Sequence, residues 1–243
     1  MNLRNKNRPG YKQTKIGWIP DEWECNAFKS IVKISQYGLS KSISVNGNSQ
    51  IVGMANLQNG RITFTKTSKV YLTNKEKEDY CLKQDDIIFN RTNSEALVGK
   101  TALVEVDSEY VFASYLVRFN LIKAKSFPLF ITQYYNMNSA IQRLRALATP
   151  GVSQFNINPT TLKRHFYVPL PPLPEQKKIA AILSTWDKAI EQTSTLINAK
   201  LQLKKGLMQQ LLTGRKRFPE FGKPTLTGEL PEGWREVKLS EVL

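Results

Sequence analysis

The stretch "YVPLPPLPEQKKIAAILSTWDKAIEQTSTLINAKLQLKKGLMQQLL" restricts the fold more than any other part of the chain. Prolines at 169, 171, 172 and 174 are barred from a helix interior or a central strand. Pro174 nevertheless suits the first turn of a helix, and Glu175 beside it suits the positive helix end. From there to Leu212 no proline occurs and Gly206 is the sole glycine. The reading is a stiff linker leading into a helix of roughly 38 to 40 residues, about 60 Å at 1.5 Å per residue. Ordinary globular helices run roughly 8 to 20 residues.

The apolar residues of this helix follow a heptad. Leu183, Ile190, Ile197 and Leu211 fall in one column, Ile179, Trp186 and Leu207 in a second, and Ile182, Ala189, Leu196 and Leu203 in a flanking one. Three columns make a stripe broader than a strict coiled-coil seam, so the helix is expected to bury one face against another helix or helices. Lys200 and Lys204 interrupt two of the columns. A core helix of the preceding domain fits poorly, because a small domain is rarely 60 Å across.

Before this helix, short β-branched and aromatic runs such as "QIVGM", "RITFT", "DIIFN" and "TALVEV" alternate with "NGN" and "QNG" turn signals, which predicts strands from Phe28 to about Val168. Two helices are expected to interrupt them. "FPLFITQYYNMNSAIQRLRALA" has apolar residues at Phe130, Tyr134, Met137, Ile141, Leu144 and Leu147, stopping at Thr149-Pro150-Gly151. The fold class is α+β: a mixed α/β domain over 1–172, the long helix over 173–213, and a tail over 214–243.

Charge indicates the partner. Lys and Arg number 35 against 20 Asp and Glu, a formal +15, which suits a polyanion because each neutralised phosphate releases counterions. Seven bases and no acid lie between Glu24 and Glu76, and seven more between Glu109 and Glu175, among them Lys29, Lys33, Lys163 and Arg164. Two such tracts read as two walls of one basic surface. Cys25 and Cys81 stand 56 positions apart with no CxxC spacing, indicating neither a disulfide framework nor a zinc site and fitting a reducing cytoplasm. No apolar run is long enough to span a bilayer, and the basic start lacks the apolar centre of a signal peptide, so neither export nor membrane insertion is expected.

The tools of a DNA-modifying enzyme are missing from the pattern. No Asn/Asp-Pro-Pro-aromatic loop is present to grip a flipped adenine, nor a glycine-rich turn for a methyl donor. Asp86, Glu95 and Lys100 are poorly spaced for a metal-dependent nuclease, and Asp85-Asp86 reads as turn chemistry before a strand. His165 is the sole histidine, and "GKT" at 99–101 lacks the upstream glycine of a phosphate loop. Three polar loops remain: "SQYGLSKSISVNGNSQ", "NRTNSEALVGK" and "TPGVSQFNINPT". Their amide, hydroxyl and cationic groups can pair with base edges and phosphates.

The C-terminal "GELPEGWREVKLSEVL" repeats "GWIPDEWECNAFKSIV" at an offset of 211 residues. Gly17, Ile19, Pro20, Asp21 and Trp23 meet Gly228, Leu230, Pro231, Glu232 and Trp234, while Phe28 and Ile31 meet Leu239 and Val242.

"VPLPPLPEQKKIAAILSTWDKAIEQ" followed by "LKKGLMQQLLTGRKRF" closely resembles the conserved region of specificity subunits of Type I restriction-modification systems. So do "GWIPDEWE", "YGLSKS", "MANLQNGRI", "LKQDDIIFNRTNS", "VGKTALV" and "GVSQFNI", in the order of a target recognition domain. The resemblance implies two recognition domains and two antiparallel helices per full subunit, each domain reading half of a bipartite site. It implies a non-catalytic subunit with no cofactor of its own. Partner modification subunits would methylate adenine with S-adenosylmethionine, and restriction subunits would cleave DNA at the expense of ATP. The present sequence has one domain, one helix and a second domain abandoned after sixteen residues. A second copy of the chain is therefore expected to complete a twofold object reading an inverted repeat. Its rivals are a free-standing DNA-modifying enzyme and a coiled-coil adaptor indifferent to DNA sequence.

The expected partners are double-stranded DNA, modification and restriction subunits and a second copy, in the cytoplasm. The DNA-contacting candidates are Tyr37, Ser40, Lys41, Arg61, Arg91, Asn93, Ser94, Lys100, Ser153 and Gln154. The helix-pairing candidates are Ile179, Ile182, Leu183, Trp186, Ile190, Ile197 and Leu211. No catalytic or metal-binding residue is expected.

Overall fold

A computed structural model describes residues 8–151, 154–224 and 230–242. The chain divides into two units, Met1–Ile182 and Leu183–Leu243.

The first unit is built on a six-stranded mixed sheet. Its spatial order is Val32–Tyr37, Leu116–Leu121, Ile87–Asn90, Thr101–Leu103, Arg61–Ile62 and Leu57–Gln58. Both faces are covered, so its central strands are apolar on both sides. Alternation along "LVRFNL" sends Val117 and Phe119 to one face and Leu116, Arg118 and Asn120 to the other. On the first face Phe28 stacks edge-on against Phe119 and Tyr135, each at 5.2 Å between ring centroids, and Phe166 closes on Tyr135 at 4.7 Å. The second face packs Leu116, Ile88 and Ala102 against Val52, Leu57 and Phe112.

Local chemistry sets the turns. "QNG" supplies Asn59 and Gly60, both at positive φ, as the two-residue connection between Leu57–Gln58 and Arg61–Ile62. Helix α1, Asn74–Tyr80, begins at a capping box in which the Thr73 hydroxyl accepts from the Glu76 N–H and the Glu76 carboxylate accepts from the Thr73 N–H. The apolar period ending at Thr149 resolves into two helices, α2 (Pro128–Tyr135) and α3 (Asn138–Arg145), broken at Asn136-Met137, and Met137 is exposed at the break. Helix α4, Pro159–His165, is capped by Asn158, whose side chain accepts from the N–H groups of Thr160 and Thr161.

The stiff linker is only two residues long. Tyr167–Leu170 forms a strand with Glu24–Ala27, with Pro169 accommodated in a two-stranded edge pairing, and helix α5 starts at Leu173 and runs to Leu211. Its first turns are built into the first unit. Gln176 is fully buried: its oxygen accepts from the Phe127 N–H at 2.9 Å, and its amide donates to the carbonyls of Lys125 and Pro171 at 3.1 and 2.8 Å. The Trp23 indole donates to Glu175 at 3.1 Å, and Ile179 and Ala180 join the core.

In the second unit the heptad stripe is open within the single chain. Trp186, Ile190 and Ile197 are 66%, 63% and 54% exposed. Past Leu211 the chain turns at Gly214, whose φ of 70° favours glycine and where a Cβ would strike the Pro231 ring. The tail folds like the opening it repeats. Trp234 N–H donates to Pro231 as Trp23 N–H does to Pro20, and Val242 N–H donates to Leu239 as Ile31 N–H does to Phe28, the second pair of bonds closing matching short 3-10 turns at Phe28–Ser30 and Leu239–Glu241. The surroundings differ. Phe28 and Ile31 are fully buried, whereas Leu239 and Val242 are exposed.

Candidate nucleic-acid interface

The sheet order gathers parts of all three polar loops. Arg91 follows the strand Ile87–Asn90, and Tyr37 ends the edge strand Val32–Tyr37; the guanidinium lies over the Tyr37 ring at 5.2 Å from its centroid. Its Nη1 donates to the Asn156 side-chain oxygen at 3.1 Å, and its Nε points at the Ser114 carbonyl at 3.4 Å. Asn93 pairs with Phe155 in the small sheet of Thr92–Asn93, Phe155–Asn156 and Thr149–Pro150. The exposed Gln154 immediately precedes Phe155, and its carbonyl accepts from the Gly151 N–H at 2.7 Å. Tyr37, Arg91, Asn93 and Gln154 thus belong to one cluster. Arg91 is fixed on three sides, and among the described residues its Nη2 N–H groups have no hydrogen-bond partner, which leaves donors of the kind a base-reading guanidinium uses.

The remaining candidates are spread around it. Ser94 and Lys100 flank a tight turn closed by N–H bonds from Leu97 and Val98 to the Ser94 carbonyl, and both are exposed. Ser40 is exposed after Leu39, which packs into a separate apolar cluster with Ile51 and Val70. Arg61 lies four strand spacings from the Tyr37 strand, about 19 Å at 4.8 Å each, and sits 3.6 Å from Glu105. Ser153 falls outside the described residues. Asn156, which orients Arg91, was legible only as one amide in a polar loop.

Lys41 is bonded within the protein, its ammonium 2.7 Å from Glu76. That contact, reinforced by the Thr73 N–H, holds the Glu76 carboxyl down to about 2. A lowered folded-state value means that this contribution to stability is present above the ordinary carboxylate range and is lost as pH falls toward 2. A carboxyl NMR titration is expected to place Glu76 near that value, and Lys41→Ala to return it upward. A wild-type midpoint near the ordinary ~4.3 would show that the pair does not form.

Asp85-Asp86 does form a turn: Asp85 has positive φ, and the Asp86 carboxylate accepts from the Lys83 N–H at 2.9 Å. Asp86 is also buried and bonded to Arg118, a structural rather than a catalytic arrangement. Among the described residues, no group of three His, Cys, Asp or Glu side chains is placed to hold a metal, and no helix is long and apolar enough to cross a membrane.

A family described as the Type I restriction modification DNA specificity domain matches residues 20–202. The MjaX type I restriction enzyme specificity subunit of Methanocaldococcus jannaschii is 33% identical over 94% of this chain and 54% of its own length. The StySPI specificity subunit of Salmonella potsdam is 27% identical over 74% and 41% respectively. The chain therefore spans about half the length of these relatives. Among solved structures, the HsdS subunit of Thermoanaerobacter tengcongensis aligns over 92% of this chain and 55% of its own, with 17% identity and a TM-score of 0.55. The S subunit of a Type I restriction-modification system from M. genitalium aligns over 87% and 47%, with 18% identity and a TM-score of 0.54. At such identities these structures match in fold.

Proposed function

Because the chain belongs to the Type I restriction-modification DNA specificity family, we propose that it reads a DNA half-site and directs adenine methylation by partner modification subunits. The observation that carries this reading is the fixed Arg91 guanidinium, stacked on Tyr37 and braced by Asn156 at the meeting point of three polar loops. Arg bonds bidentately to guanine in the commonest specific contact, and Asn or Gln to adenine. The methyl donor and the methyl transfer belong to the modification subunits, and this chain contributes recognition without chemistry of its own.

A second copy of the chain pairs with it through the long helix. The exposed apolar stripe of α5 requires a helical partner, and the tail carries Leu239 and Val242 in the turn that in the first unit is enclosed. Closed twofold symmetry is the usual arrangement of identical chains and makes the two half-sites equal. The DNA target is then an inverted repeat around a fixed spacer.

Combined Arg91→Ala, Asn93→Ala and Gln154→Ala replacement is expected to cost about 1 to 3 kcal/mol per base-reading contact at the cognate site while leaving nonspecific binding in place. Mapping methylated adenines in cells co-expressing the modification subunit supplies the motif, and the variant should lose it. An unchanged motif with unchanged occupancy would reject this placement of the reading site.

A further inference from the structure

Ser35 and Tyr37 alternate onto one face of the edge strand Val32–Tyr37, and Lys33, the extra residue where the register shifts opposite Asn120 and Leu121, lines the same pocket as Ser35. Thr160, Lys163 and Arg164 are three and four residues apart on α4, and so share one side of it. The buried Phe28, Leu162 and Phe166 bring the two segments together, and the Phe28 N–H donates to the Phe166 carbonyl at 2.8 Å. The result is an open pocket of about 280 Å³ lined by Lys29, Lys33, Ser35, Thr160, Lys163 and Arg164. Each acid-free tract of the sequence contributes one wall.

None of these four cations forms an ion pair with an acidic side chain among the described residues, whereas Lys41, Arg61, Arg118 and Lys123 all do. A helix C-terminus favours cations in its last turn, which accounts for Lys163 and Arg164. It does not account for Lys29 and Lys33, which come from other elements and bring like charges to the same pocket. Like charges at short range repel unless an anion lies between them. Ammonium, guanidinium and hydroxyl donors together are the groups that bind phosphate oxygens in protein–DNA complexes.

We propose that this pocket binds a backbone phosphate of the DNA whose bases are read at Arg91, a proposal that rests on the recognition function above. Lys33 and Tyr37 are four residues apart on one strand, about 13 Å. The pocket thus fixes the register of the duplex without reading its sequence.

The test is fluorescence anisotropy of the full chain on labelled duplexes of several unrelated sequences, across a salt series. Lys33→Gln/Lys163→Gln is expected to weaken every duplex in the same proportion and to flatten the slope of log K against log salt by about 0.9 for each phosphate lost. Lys33→Arg/Lys163→Arg should keep the wild-type slope, and matching thermal melts would separate lost contacts from lost folding. A wild-type slope in the Gln variant would overturn the pocket and leave the reading site standing, as would a loss confined to one sequence. A wild-type chain with no affinity for any duplex at low salt would overturn both.

Discussion

Arg118→Met is expected to destabilise the first unit by about 3 to 5 kcal/mol, the cost of breaking a buried ion pair from one side. Arg118 stands in a strand whose other residues are mostly apolar, and its guanidinium bonds Asp86 at 3.2 Å, the carbonyls of Cys81 and Asp79 at 2.8 and 2.7 Å, and the Gln36 side chain. Two of these are carbonyls at the C-terminal end of α1, which a helix leaves without internal partners. Methionine fills similar volume but leaves the Asp86 carboxylate buried with only Asn120 and the Lys83 N–H.

Burial already raises the Asp86 carboxyl above its ordinary range, outweighing the Lys83 N–H and Arg118 that lower it. A raised folded-state value contributes stability that is fully present below the unfolded value and is lost as pH rises through the folded one. Removing Arg118 raises the carboxyl further, so the gap between variant and wild type should be widest near neutrality and narrow as pH falls into the carboxylate range. Urea unfolding at several pH values measures it. Asp86→Leu/Arg118→Met should recover much of the loss, because replacing both partners removes the unpaired charge. A single variant within 1 kcal/mol of wild type at pH 7 would refute the account. The network also adjoins the candidate interface: Gln36 precedes Tyr37, so Arg118 holds one face of the strand that presents Tyr37 on the other.

That network shows where sequence reasoning runs out. Helix α5 was legible because proline placement and heptad spacing are local: it was read over 173–213 and runs from Leu173 to Leu211. The turn at Asp85-Asp86 was legible for the same reason. Its partner at Arg118 lies 32 residues away and is selected by sheet order, which no local pattern encodes. Arg91 could be nominated from its loop, but its bracing by Asn156, 65 residues on, depends on the pairing of Thr92–Asn93 with Phe155–Asn156. The two acid-free tracts were visible as composition. Composition could not say that Lys29 and Lys33 meet Lys163 and Arg164 while Lys41 and Arg61 turn toward Glu76 and Glu105.

Charging the long helix should have the largest effect on assembly. Ile190→Asp/Ile197→Asp is expected to abolish the proposed pairing of the chain while leaving the thermal unfolding of residues 8–182 unchanged. Both isoleucines occupy one heptad column and are more than half exposed in the single chain, so they contribute little to packing there. In a twofold pair four such side chains leave water. At about 1.5 kcal/mol or more each that amounts to roughly 6 kcal/mol, on the order of 10⁴-fold in Kd before the cost of desolvating the new carboxylates. The same substitution cannot disturb the anchoring of α5 at Gln176 and Ala180, which lies more than two turns earlier and is buried in the first unit. Light scattering across a concentration series reads the outcome. A variant that pairs like wild type would mean that this stripe is not the contact between copies. A variant that unfolds the first unit would mean that the stripe packs on its own domain instead.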